Sequence, residues 1–561
     1  MSTNRSVRVV AAAVAALTLT AAAPAAGQEA QKPEPLRVTL TPVGPSPEQV
    51  DALRSSLPKL TPVAEALAGS RWRLLSMQLL DPVEKEKIGL GPDRYRAVFY
   101  DYTRNRAVVA EGQWDRKAGK LSPPPAVTFP RLQPPPSDEE LEAAIDVLEK
   151  DPAFGPALAS GALMAYPPMP PVVFDPEDGK KKGPRTVNVG LFPGPGAKPG
   201  AAAPHEIVGV DMTKERVVRF PNGAPPTARA ELAGCGPASG GSATTTSPQP
   251  YEVVITRGQT EIWRLTLIRP AASSGNSGGS AIEVRDVLYK GKKVLGRGHT
   301  PILNVKYNGN TCGPYRDWQN SENPFQAVGT DPVPGVRACT QPPQTIIESG
   351  SDSGSFKGVA YYVGASDVLF MTELTAGWYR YVAEWRFHDD GRIQPRFGFG
   401  AVNNTCVCYA HNHHAYFRFD FDIGTAADNA VSIVNQGGVT PLATETWGRR
   451  DLLGNWRLLV QNNQTRDGYQ IVPGPHDGTA DVYAVGDWWA LRGKGTAELD
   501  DGRSFGSGPT EIYLTPFVNG ESIQGQDVVV WYGVHFLHNH NDQGTDGANY
   551  IPGPELVPTS W

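Results

Sequence analysis

What most constrains this chain is its punctuation. Strand-like apolar runs of six to ten residues, such as EIWRLTLI, EVRDVLY, YFRFDFDI, WRLLVQ and DVVVWYGV, are separated throughout by Gly- and Pro-rich turns. With 60 Gly and 52 Pro in 561 residues, no long stretch beyond the N-terminus keeps a helical period. A chain patterned in this way folds into sheets. From Tyr251 onwards the short runs follow one another at the spacing of a β-sandwich, so the expected class is mainly β: a large antiparallel β-sandwich C-terminal domain preceded by two small α+β domains.

The units read as follows. Arg5 and Arg8, the Ala-rich apolar run Val9–Ala23 and the small residues of APAAGQEA have the layout of a cleavable export signal over residues 1–27. A retained anchor needs about twenty strongly apolar residues, which this run lacks, so the expectation is a secreted protein with no stable membrane insertion. Residues 35–128 contain a helical stretch, SPEQVDALRSSLPKL, and then strand-like runs, ending in a Pro-rich linker. Residues 136–234 open on a helix with Ser137 as N-cap and Glu140 three residues on. A Gly/Ser/Thr-rich segment separates these from the sandwich over 250–561. The net charge of −6 forms no basic stripe, which argues against nucleic acid as a partner. Five cysteines (Cys235, Cys312, Cys339, Cys406, Cys408) leave at least one outside any internal pairing.

Six of the ten histidines fall in two clusters about 120 residues apart, His411-Asn412-His413-His414 and His535-Phe536-Leu537-His538-Asn539-His540. Alternate side chains of a strand share a face, so His411 and His413 can reach one ion. A third imidazole from the distant cluster would make a site suited to Cu(II) or Zn(II) with positions left for water. A lone H-x-H pair is commonly an accident of an exposed strand; two clusters flanked by strands point to a metal.

HNHHAYFRFDFDI resembles the copper strand of the copper amine oxidases, and DVVVWYGVHFLH resembles the later strand that brings their third histidine. HEIVGVDMTKERVVRF, EVRDVLYKGKKVL, EWRFHDDGRI and YQIVPGP have counterparts in that family in the same order. The resemblance implies a homodimer with Cu(II) on His411, His413 and His538, His535 being the second choice for the third ligand. It also implies that Tyr379 is converted by copper and O₂ to a topaquinone. The chemistry implied is primary amine plus O₂ and water to aldehyde, ammonia and H₂O₂. Tyr307 matches the tyrosine that hydrogen-bonds the quinone. Asp420, Asp422 and Asp527, helped by the carbonyls of Phe421 and Val528, match a peripheral Ca²⁺ site.

Two departures stand out. Trp378 and Arg380 flank Tyr379 where the family has a small amide and a carboxylate; Tyr379, Tyr381, Ala383, Trp385 and Phe387 also form one apolar face, as a core tyrosine would. In W-Q-N, at Trp318-Gln319-Asn320, the family's catalytic aspartate falls on Asn323, and an amide cannot accept the substrate proton. Either Glu322 serves, with its pKa raised by burial, or Asp317 reaches in, or the usual chemistry is absent. The alternative function is therefore a copper-binding protein of this fold with quinone-free O₂ chemistry or no turnover. Cys406 and Cys408 precede the copper strand, where one of them is expected to pair with another cysteine; Cys312 and Cys339 are placed to close a loop around Asp317–Pro334.

Overall fold

Strand alternation dictates two large layers with one core between them. The computed structural model describes residues 34–81, 92–115, 118, 120–131, 133–168, 171–173, 183–194, 206–219, 236–237, 239–244, 249–275, 278–307, 315–408, 410–481, 485–495, 514, 517–538 and 551–561. The segment expected to direct export, residues 1–27, lies outside the described residues. Leu36–Trp561 forms one compact unit.

One large sheet has ten strands and the other eleven. Trp263, Val284 and Phe419 from the first meet Phe370, Trp385 and Phe397 from the second in a shared core, which is the sandwich expected from the sequence. Among the described residues the strands pair antiparallel, except that Val336–Cys339 runs parallel to Val359–Val363. Leu36–Pro42, read from the sequence as part of the first small unit, instead lies along Tyr251–Arg257 as the edge strand of the ten-stranded sheet. Leu36 is buried in the sandwich core there, and covering an edge in this way satisfies backbone groups that would otherwise be left open.

Two four-stranded sheets occupy the N-terminal part, Trp72–Thr128 and Leu163–Val218. The first packs against Thr61–Leu67 through Val63, Tyr95 and Phe99. The second packs against Asp138–Glu149 through Ala144, Leu148 and Val208. Ser137 caps the latter helix by accepting the Glu140 N–H at 3.2 Å. The Glu140 carboxylate does not turn back to the cap. It is fully buried, pairs with Arg185 at 2.6 Å and accepts the Tyr102 hydroxyl at 2.7 Å, joining the two small sheets. Asp81 performs a similar service towards the sandwich through Arg285 and Arg297, at 2.7 and 2.8 Å.

Three strands position the site. His411–Phe421 lies between Lys292–Tyr307 and Val528–His538 in the ten-stranded sheet. Facing it in the other sheet, Asp367–Ala376 and Tyr379–His388 form a hairpin closed by Gly377 and Trp378. Gly377 has φ +59°, a conformation open to glycine at little cost and one that a two-residue hairpin turn requires. The turn sets Tyr379 as the first residue of its strand.

Candidate metal centre

Register brings the two histidine clusters together. His411 lies directly opposite His538 on the neighbouring strand, with Phe536 opposite His413. Alternation puts His411 and His413 on the core-facing side with Ala415, Phe417, Phe419 and Phe421. One donor atom from each of His411, His413 and His538 lies within 4.8 Å of the other two, and all three residues are buried. His538 Nδ1 stands 3.1 Å from His411 Nε2. The Tyr379 hydroxyl lies 2.6 Å from that same Nε2.

The donor set fits a metal ion. His413 is fully buried, and neither of its ring nitrogens has a hydrogen-bond partner; leaving a buried polar atom unmatched costs about 1–3 kcal/mol. Phe399 fixes that ring in a near-parallel stack at 3.7 Å between centroids, and also meets His538 edge-on at 4.6 Å. Burial, with repulsion from neighbouring imidazoles added, holds His413 and His538 far below the usual imidazole pKa. Both are therefore neutral, the form in which a histidine ligates. Phe399 went unnoticed in the sequence, because nothing there shows that the Ile393–Ala401 strand passes over the histidines.

Tyr379 is fully buried, with its ring 5.5 Å from that of Tyr381 and edge-on to His413 at 4.8 Å. Neither flanking residue places a charge beside its ring. Arg380 points to the opposite face of the strand, where it is held by Asp352 at 2.9 and 3.1 Å and by the Thr375 hydroxyl at 2.8 Å. No charge is thereby brought onto the face that carries Tyr379. Trp378 is buried in the core with its ring 6.2 Å from Tyr379.

Asn323, at the family's base position, and the two candidate proton acceptors, Glu322 and Asp317, separate clearly. Asn323 belongs to the Arg380 side: its amide donates to Glu373 Oε1 at 2.6 Å and Asp352 Oδ1 at 2.9 Å. Glu322 is buried rather than solvated, and both its oxygens are taken by Arg269, at 3.1 and 2.5 Å. A carboxylate clamped in this way by a buried guanidinium is not a free base. Asp317 is different. It is buried, accepts the Tyr381 hydroxyl on Oδ2, and leaves Oδ1 with no hydrogen-bond partner. Burial pushes its pKa up to about 8. Tyr381, in turn, lies beside both Tyr379 and His413. The backbone of Tyr307 pairs with His411, while its side chain lies outside the described residues.

Asp420, Asp422 and Asp527 also converge, one oxygen from each within 4.8 Å of the others. Gly493 leaves room for them: a Cβ there would meet the Asp527 carboxylate at 2.6 Å. Lys293 lies 3.5 Å from Asp422, so some of the negative charge is already balanced. Among the cysteines, Cys339 is free, which removes the loop closure expected between Cys312 and Cys339. Cys408 is disulfide-bonded, and the Cys406 side chain lies outside the described residues.

No family model and no curated protein matches the chain. Solved structures do. A copper-containing benzylamine oxidase from Hansenula polymorpha is similar at 12% identity and TM-score 0.53, over 88% of this chain and 94% of that one. The Pichia pastoris lysyl oxidase is similar at 12% identity and TM-score 0.50, over 95% and 90%. At such identity the likeness is one of fold, and the fold is that of the copper amine oxidases.

Proposed function

We propose that the protein is an exported copper-dependent oxidase acting on primary amines. The observation that carries this reading is the Tyr379 hydroxyl held 2.6 Å from His411 Nε2 inside a buried cluster of three imidazoles. His411, His413 and His538 would hold Cu(II), which with O₂ would supply the oxidation of Tyr379 to a topaquinone, the group that reacts with a primary amine. The chain's own part is to orient and to move protons. Phe399 locks the His413 ring and keeps water from it. Asp317, with its unmatched Oδ1, replaces the amide at Asn323 as the proton acceptor, and Tyr381 orients it. Asp317→Asn then lowers amine turnover by about 100-fold or more, the usual scale for loss of a general base. The Asp420, Asp422 and Asp527 oxygens bind Ca²⁺, and the working form is a homodimer.

The test is to load purified apoprotein with Cu(II), admit O₂, and examine the Tyr379 peptide by mass spectrometry beside a carbonyl-reagent titration. Added oxygen on Tyr379 with a reactive carbonyl supports the reading. An unmodified Tyr379 with copper bound favours the second reading, a copper protein with quinone-free O₂ chemistry or no turnover, which the engagement of Asn323 and Glu322 elsewhere motivates. Detection of the processed chain in culture medium checks export. Among the described residues no helix is long and apolar enough to cross a membrane.

A further inference from the structure

The histidines left over from the triad form a pair of their own. His414 and His535 lie directly opposite each other on the same two strands, on the face turned away from Tyr379. Both are buried. Their Nδ1 atoms are 2.9 Å apart.

Each ring has a carboxylate near its other nitrogen, close enough for charge attraction but not in hydrogen-bond geometry. His535 Nε2 sits 3.2 Å from Asp487 Oδ1. Asp487 is itself buried and is kept ionised and in place by the Arg450 and Ala480 backbone N–H groups, at 2.7 and 2.6 Å. His414 Nε2 sits 3.8 Å from Asp481 Oδ2, whose side chain is 29% exposed and opens the pair towards solvent. A carboxylate behind Nε2 favours the proton there and leaves Nδ1 as a lone pair, the arrangement that orients histidine ligands in metal sites. At 2.9 Å the two Nδ1 atoms share one proton in a hydrogen bond in the metal-free chain; with both rings protonated on Nε2, a cation takes the place of that proton between the two lone pairs. The same kind of approach, 3.1 Å between His538 Nδ1 and His411 Nε2, occurs within the triad.

We propose that His414 and His535 form a second metal site, specific for Cu(II), on the opposite face of the sheet from the triad. The separation selects the ion. A metal about 2.05 Å from two nitrogens 2.9 Å apart subtends about 90°, the angle between neighbouring ligands of a tetragonal Cu(II) centre; tetrahedral zinc requires about 109° and a separation of about 3.3 Å. Asp487 and Asp481 orient the two imidazoles and offset the charge of the ion, and water fills the remaining positions. The site does not depend on copper being held by the triad.

The experiment is copper titration of the metal-stripped full-length protein in the presence of glycine as a weak competitor. Bound copper per chain is measured after desalting, and each form is examined by electron paramagnetic resonance. Wild type is expected to retain two coppers per chain with two overlapping signals. His535→Phe and His414→Gln are each expected to retain one, with the signal that His413→Ala removes still present. Circular dichroism identifies any variant that has not folded, and the other variant of the pair then decides. A wild type that saturates at one copper, lost in His413→Ala and kept in His535→Phe and His414→Gln, overturns the proposal and leaves the pair sharing a proton. One copper lost in His535→Phe but kept in His413→Ala would uphold this site and reject the triad.

Discussion

The two faces of the strand Tyr379–His388 differ in how completely their polar atoms are matched. On the outward face, Arg380, Asp352, Asn323 and Glu373 bind one another: Arg380 takes both oxygens of Asp352, Asn323 bridges Asp352 and Glu373, and Glu373 accepts the Ile346 N–H at 2.6 Å. On the inward face, both nitrogens of His413 and one oxygen of Asp317 have no hydrogen-bond partner although buried. A matched buried network serves stability, whereas unmatched buried donors and acceptors are a cost that persists where a ligand or a reaction uses them.

That contrast can be broken at four points. The largest effect is expected from His413→Ala, which should abolish copper binding at the triad, read as loss of its paramagnetic signal, while stability in the metal-free state stays within about 1–2 kcal/mol because no hydrogen bond is removed. Arg380→Ala should do the reverse. By leaving Asp352 buried without its cation it should cost about 3–5 kcal/mol in urea denaturation, with triad copper retained.

Asp317→Asn tests the inward face through pH. Burial raises the Asp317 carboxyl to about 8, so between about pH 4 and 8 the unfolded chain has lost a proton that the folded chain keeps. The contribution of this group to stability is therefore complete below about pH 4 and is lost as pH rises towards 8. The variant should gain on wild type by an amount that grows over that window, on the order of a few kcal/mol at its upper end, measured by denaturation at pH 5 and pH 8. Glu373, also raised to about 8 by burial, acts in the same direction in both proteins and cancels from the comparison. The smallest effect is expected from Phe399→Leu. Loss of the stack on His413 should cost about 1 kcal/mol and alter the paramagnetic signal at the triad without removing it.

Much of the site was legible because local spacing sets it. His411 and His413 fall on one face by alternation alone, and the Asp420–Asp422 spacing works in the same way. The same rule gives the direction of Arg380: the residue after Tyr379 on a strand faces the other way, so its charge is not directed at the ring. The surroundings of Glu322 were not legible in the same way. Its partner, Arg269, lies 53 residues earlier, and no local pattern announces an ion pair closed across that distance.

The sequence by itself determined the class of fold, through short alternating runs between Gly and Pro turns, and pointed to the residues of the candidate metal site, through two dense histidine clusters. Tertiary structure alone decided which histidine meets which. The antiparallel register places His411 opposite His538 and His414 opposite His535, and a slip of one residue would turn every one of these side chains to the other face. It also separated Asn323 from the two candidate proton acceptors, Glu322 and Asp317. Asp317, Glu322 and Asn323 lie within seven residues of one another in the chain, but burial, a guanidinium and an amide network give them different environments. Those environments are made by residues from distant strands, which only the packed sandwich brings together.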